Sequence, residues 1–203
     1  VLSRETAHQL GTPVSALLGW IDYLKNDNSN IEKILPEMES DIERLQQVSR
    51  RFSKMGSKPE MEYFDLSKRV ESVLSYLNRR IPTLGKKVDL VNDIDPDIKI
   101  MANGTLISWT IENLIRNSID SVSGEAGLIR LSMSQDQNNV KIRISDNGCG
   151  VPKKDWKNIF RPGFSTKKSG WGLGLSLCQR IINEVHKGDI YVLESRINSG
   201  TVF

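Results

Sequence analysis

Apolar and small residues recur at steps of three and four along the first stretch of the chain, at Ala7, Leu10, Val14, Leu17, Ile21 and Leu24. Such spacing lays a heptad seam along one side of a helix. The polar run Asn26-Asp27-Asn28-Ser29-Asn30 is built of turn-forming residues and ends that helix. A second seam follows at Ile31, Leu35, Met38, Ile42, Leu45, Val48, Phe52 and Met55. Two helices joined by a short loop predict an antiparallel hairpin. One hairpin cannot cover both of its seams. Either a second copy pairs with it into a four-helix bundle or the seams pack on the rest of the chain, and pairing is the economical solution.

Gly56-Ser57-Lys58-Pro59-Glu60 reads as a linker, which divides the chain into domains over 1–57 and 62–203. Beyond it, helical patterns alternate with strand-like runs such as Gly127 to Met133 and Val140 to Ser145. The predicted order is a helix over about 66–84, two short strands, a helix over about 104–122, two strands, loops, a helix over about 172–186, and strands to the end. That order makes an α/β sandwich with helices on one face of a mixed sheet.

The 203 residues suffice for one large domain or two small ones. A formal charge of +3, with basic residues scattered rather than striped, gives no footing for nucleic acid. Two cysteines, Cys149 and Cys178, form neither a metal-ligand spacing nor a disulfide framework, which suits a reducing cytoplasm. No run approaches the ~18 apolar residues of a membrane span, so no direct membrane contact is expected of this stretch. The chain opens inside a helical pattern and stops at Thr201-Val202-Phe203, and so reads as an excised piece of a longer protein. An inner-membrane anchor upstream is left open.

Four short patterns stand in a fixed order on this framework: Ala7-His8-Gln9-Leu10-Gly11-Thr12-Pro13, Asn113-Leu114-Ile115-Arg116-Asn117, Asp146-Asn147-Gly148-Cys149-Gly150, and Gly170-Trp171-Gly172-Leu173-Gly174-Leu175. His8 falls one residue past Ala7, just outside the seam, where its imidazole is exposed on the flank of the hairpin. With an ordinary pKa of ~6.5, a neutral imidazole is a competent nucleophile. Pro13 cannot donate to the Gln9 carbonyl and should kink the helix beside His8. Thr12 lies one turn along the same face; its hydroxyl either holds a water for attack on a phosphoryl group or bonds back into the helix. Asn113 and Asn117 share a helix face, and their carboxamide oxygens suit Mg²⁺, although two asparagines there could also be solvated surface. Asp146 closes a strand carrying Val140, Ile142 and Ile144, and the glycines after it turn the chain where φ can be positive. A buried carboxylate only accepts, so it matches adenine's exocyclic amine and repels guanine's carbonyl. Read blandly, Asp-Asn-Gly is also a hairpin signal. Gly170, Gly172 and Gly174, with Leu173 and Leu175, precede a helix and can expose backbone N–H groups to phosphate. Neither the strand context of a dinucleotide fold nor the lysine of a Walker loop accompanies them. His186, near a predicted helix end, is expected to serve structurally as a cation at the helix C-terminus.

In this order and spacing the four patterns resemble the catalytic core of bacterial sensor histidine kinases of two-component systems, over nearly the whole chain. The second domain resembles the GHKL-type ATP-binding domain shared by histidine kinases, type II topoisomerases and mismatch-repair ATPases. Phe160-Arg161-Pro162-Gly163-Phe164-Ser165-Thr166-Lys167-Lys168 resembles a phenylalanine box and a short ATP lid, in which Lys167 or Lys168 touches phosphate or both are merely solvated. The resemblance implies a homodimeric autokinase. ATP would be framed by Asn113, Asn117, Asp146, Gly148, Gly150, Phe160, Lys167, Gly170, Gly172, Leu173, Gly174 and Leu175. Asn117 would hold Mg²⁺ with Asn113 assisting, and the phosphoryl group would pass to His8 and then to an aspartate on a response-regulator receiver domain. Thr12 would support dephosphorylation of that partner. Gln9 departs from the family pattern, which has an acid after the histidine. Glu5, three residues before His8 on the same face, either takes over as orienter or proton acceptor while Gln9 only hydrogen-bonds, or is a solvated glutamate. Two rivals stand beside this reading. A GHKL-type ATPase calls for a catalytic glutamate where Asn113 stands and has no use for His8. An ATP-sensing scaffold binds nucleotide without phosphotransfer.

Overall fold

The computed structural model describes residues 17–25, 31–32, 34–39, 42, 59–84, 86–122, 126–137, 139–166 and 172–203. The chain divides into two compact units, Val1–Pro59 and Glu60–Phe203. In the first, residues 17–25 (α1) and 34–39 (α2) are helical. The seam residues Ile21, Ile31, Leu35 and Ile42 are 42%, 45%, 48% and 43% exposed in the single chain, whereas Ile34 is buried. Ala7, Leu10, Val14, Pro13, Leu45, Val48, Phe52 and Met55, the loop 26–30 and the linker residues 56–58 lie outside the described residues.

The second unit opens with β1 (Glu62–Asp65) and α3 (Leu66–Arg80), followed by β2 (Val88–Ile94), β3 (Lys99–Ala102) and α4 (Gly104–Ser121). β4 (Gly127–Gln135), β5 (Val140–Asp146), α5 (Gly174–Arg180), β6 (Glu194–Arg196) and β7 (Gly200–Val202) complete it. Five strands form one sheet in the order β2-β4-β5-β7-β6, and β1 pairs with β3 in a separate two-stranded sheet. The β2–β4 pair is parallel, from Val88↔Gly127 to Ile94↔Met133, and the other pairs are antiparallel, so the sheet is mixed as expected.

Side-chain periods explain the layering. On β4, Ile129, Leu131 and Met133 are buried while Leu128, Arg130 and Ser134 are exposed, the alternation of a strand with one covered face. The covering helices read at the helical period. α3 buries Leu66, Val70, Leu74 and Leu77, and α4 buries Ile107, Ile111, Leu114, Ile115, Ser118 and Ile119. The apolar ones share one core with Val88, Ile144 and Cys178. A second, smaller core gathers Ile159, Phe160 and Val192, with the rings of Phe160 and Phe203 edge to face at 6.3 Å.

Asp65 caps α3 by accepting the Lys68 backbone N–H at 3.0 Å, and that bond holds its carboxyl below the usual carboxylate range. α3 stops at Arg80 rather than near 84. Pro82 has no N–H for the Asn78 carbonyl, and the chain tightens into a 3₁₀ turn over Ile81–Leu84.

The last helix also differs from expectation: α5 ends at Arg180 and a π turn, Ile181–Val185, continues it. His186 accounts for part of this. Its ring bridges the turn to α4, with Nδ1 2.9 Å from the Ile181 carbonyl and Nε2 3.1 Å from the backbone N of Asn103. A carbonyl can only accept and an N–H only donates, so Nδ1 carries the proton and Nε2 the lone pair. The ring is therefore neutral in this arrangement. The structural role expected for His186 holds; the cationic one does not.

Candidate nucleotide-binding site

α4 positions most of the site. Asn103 caps it, its side chain accepting the Leu106 N–H at 3.0 Å, and Asn113, Asn117 and Ser121 follow one turn apart along one face. Asn117 Nδ2 donates to Asn113 Oδ1 at 3.3 Å. A carboxamide that donates through nitrogen carries its oxygen on the other branch, the atom a hard cation takes. The start of α5 lies against the same pair. A Cβ on Gly174 would sit 2.5 Å from Asn113 Oδ1, so glycine lets the two approach with the Asn113 amide where it stands.

Asp146 ends β5 beside the last turn of α4 and is buried. Its Oδ1 accepts the Gly148 N–H at 2.9 Å and lies 3.1 Å from Ser121 Oγ. Its Oδ2 has no hydrogen-bond partner among the described residues. One carboxylate oxygen is thus fixed and the other is left to accept. The Cys149 N–H donates to the Ser121 carbonyl at 3.0 Å, so Asp146 and the loop after it each meet the helix end at Ser121.

Gly148 has a different reason for being glycine than the expected positive φ. Its φ is not positive, but a Cβ would lie 2.0 Å from Ser121 Oγ. Gly150 does turn with φ +72°, and Gly172 with φ +65°. Leu173 is buried, Leu175 packs between the two cores, and Phe160 is buried in the smaller one. Asn113, Asn117, Asp146, Gly148 and Gly174 therefore converge, with Gly150, Gly172, Leu173 and Leu175 flanking them and Phe160 packed in the adjoining core. Glu5, His8, Gln9, Thr12, Lys167, Lys168 and Gly170 lie outside the described residues.

Sequence reasoning missed Ser121, Ser195, Gly200 and Thr201. A Cβ on Gly200 would lie 1.8 Å from the Asp146 carbonyl oxygen, so β7 backs the Asp146 turn directly. Thr201 is buried with Oγ1 3.0 Å from Ser195 Oγ, and Ser195 Oγ in turn accepts the Val151 N–H at 2.7 Å. Ser121 had a legible signal, four residues past Asn117 on the same helix face. The β6–β7 residues had none beyond a lone Gly-Thr pair.

The family described as histidine kinase-, DNA gyrase B-, and HSP90-like ATPase matches residues 103–203, from the cap of α4 to the end of β7. The signal transduction histidine-protein kinase AtoS of Escherichia coli (strain K12) is 33% identical over 201 residues, covering 94% of this chain and 32% of AtoS. Sporulation kinase B of Bacillus subtilis (strain 168) is 29% identical over 199 residues, covering 93% of this chain and 45% of that protein. The chain thus spans less than half the length of these curated relatives. Among solved structures, the catalytic domain of the histidine kinase ThkA is 31% identical at a TM-score of 0.63, covering 71% of this chain and 92% of that domain. ThkA in complex with the response regulator protein TrrA is similar over 100% of this chain and 60% of that chain at a TM-score of 0.72; at 24% identity this shows likeness of fold alone. Among the described residues no helix is long and apolar enough to cross a membrane. With the asparagine pair, the buried carboxylate and the glycine turns assembled on the matched stretch, the chain belongs to the histidine kinases, and its second unit is an ATPase domain of the kind shared with DNA gyrase B and HSP90.

Proposed function

We propose that the chain is the dimerisation and catalytic core of a histidine autokinase, with a phosphotransfer hairpin over 1–57 and an ATP-binding domain over 62–203. The γ-phosphoryl group of ATP passes in line to His8, the bond to the β-phosphate oxygen breaks, and ADP leaves. The phosphoryl group then passes to an aspartate on the receiver domain of a response regulator. The complex reported for ThkA with TrrA supports a partner of that kind.

The chain's own residues divide the work. Asp146 Oδ2 accepts the exocyclic amine of adenine, and its fixed Oδ1 keeps it from turning away. The backbone around Gly170, Gly172 and Gly174, with Lys167, faces the phosphates. Asn117, assisted by Asn113, fits Mg²⁺, which when bound supplies positive charge against the phosphates. Glu5 takes the proton that the imidazole must shed, since the amide of Gln9 cannot. Thr12 holds the water that would dephosphorylate the regulator. The exposed apolar seam of Ile21, Ile31, Leu35 and Ile42 supports closure by a second copy into a four-helix bundle.

The observation that carries kinase over ATPase is Asn113. It stands beside Asn117 where hydrolysis calls for a carboxylate, and a neutral amide cannot take a proton from water. Incubation with γ-labelled ATP tests the reading, because phosphohistidine is acid-labile. Acid-labile label on the chain is the expected result. Release of free phosphate alone would establish the ATPase reading, and nucleotide binding with neither outcome the scaffold reading.

Gly174→Ala probes the geometry independently of phosphotransfer. Its methyl group displaces the Asn113 amide and breaks the Asn117–Asn113 bond, a loss of about 1 kcal/mol. Titration should show nucleotide affinity reduced about fivefold in Mg²⁺, with a smaller change in chelator.

A further inference from the structure

Lys86, in the loop ahead of β2, reaches the far end of α4. Its Nζ donates to the carbonyls of Ile119 at 2.7 Å, Val122 at 3.0 Å and Asp120 at 3.3 Å. An ammonium has three N–H bonds and no acceptor, and three carbonyls engage this one. They belong to the helix end, where the last carbonyls have no partner within the helix. Val122, which follows α4, is extended at φ −71° and ψ 121°, and the helix has no basic residue in its own last turn. Lys86 supplies donors to this helix end from outside, together with a positive charge that the helix's own last turn lacks.

Between the clamped carbonyls stands Ser121. Ser121 Oγ touches Asp146 Oδ1, its carbonyl receives the Cys149 N–H, and Gly148 packs on it with no room for a methyl group. The carboxylate at the end of β5 is therefore aimed by reference to Ser121, and Ser121 by reference to Lys86. We infer that Lys86 is a positioning residue for base recognition, clamping the end of α4 so that Asp146 presents Oδ2 to the amine of the nucleotide base. The inference rests on the reading of Asp146 as the adenine acceptor.

The test uses the whole 203-residue chain and two probes, ATP and inosine triphosphate, which carries a carbonyl in place of adenine's exocyclic amine. The parent should prefer ATP by at least about 100-fold. Lys86→Met keeps the length of the side chain and removes its donors. It should reduce that preference at least about fivefold, mostly through weaker ATP binding, and Lys86→Arg should restore most of it. Affinities are read well below the melting temperature of each variant, with circular dichroism confirming the fold. If Lys86→Met does not fold, Lys86→Gln, which retains a neutral donor, is read in the same way. A folded Lys86→Met or Lys86→Gln with the parent's preference overturns the inference, including the case in which both nucleotides weaken equally. A parent that binds the two nucleotides alike overturns the base reading and the inference with it.

Discussion

His8→Ala is expected to reduce acid-labile labelling from γ-labelled ATP to background while leaving ATP affinity within about twofold of the parent. The two halves of this expectation come from different parts of the chain. His8 belongs to the first unit, Val1–Pro59, whereas Asn113, Asn117, Asp146 and Gly174 all belong to the second. Under the proposed function, replacing this imidazole removes the nucleophile and leaves the residues proposed to bind nucleotide unchanged. His186, the only other histidine in the sequence, is held between Ile181 and Asn103 as a structural bridge. Labelling of His8→Ala at the parental level would remove His8 from the chemistry. Loss of labelling together with loss of ATP binding would show that the variant had damaged the fold rather than the reaction.

Asp146→Asn carries the second large effect. The carboxylate is buried, with Oδ1 engaged by Gly148 and Ser121. An asparagine can keep both contacts only by placing its oxygen where Oδ1 was. Its NH₂ group then occupies the Oδ2 position, and a donor faces the donating amine of adenine. A favourable charge-assisted hydrogen bond becomes a clash of two donors with nothing to relieve it. ATP affinity should fall by at least about 100-fold, which at ordinary concentrations abolishes measurable binding. The same substitution offers a donor to a base with a carbonyl at that position, so inosine triphosphate should lose far less. Calorimetric titration of both nucleotides against parent and variant measures this. Parental ATP affinity in Asp146→Asn would show that the carboxylate does not read the base.

Much of this arrangement is legible in the sequence itself. α4 was readable almost to the residue, because its apolar positions from Ile107 to Ile119 hold the helical period for more than three turns and Asn103 caps it locally. β4 and β5 were equally plain, since a sheet with one covered face writes its alternation into the strand. What sequence could not supply is what tertiary contact decides. β1 is four residues long and owes its existence to pairing with β3. The π turn after Arg180 and the neutral ring of His186 depend on Asn103, distant in sequence. Gly148 and Gly150 look alike in the sequence, yet one is glycine for want of space beside Ser121 and the other for its positive φ. Lys86 reads as one more surface lysine, because its three partners lie at the end of α4, past β2 and β3 in the sequence.

β2 and β4 lie side by side and parallel, and everything between them, including α4, is the connection that brings the chain back. A parallel pair cannot be closed by a tight turn. Closing a loop of about 30 residues costs entropy before any ladder contact returns it, which makes such pairings slow to form. The helix that carries Asn113, Asn117 and Ser121 is thus the crossover itself, and the nucleotide site is completed in the same event that closes the sheet. A chain caught before that event has nowhere to hold a nucleotide. Nucleotide consequently binds only the finished domain and favours it by mass action, by about 2.7 kcal/mol at a hundredfold excess over Kd. In a cell rich in ATP, the ligand of the reaction also acts on the folding of the domain that uses it, drawing newly made chains toward the closed sheet.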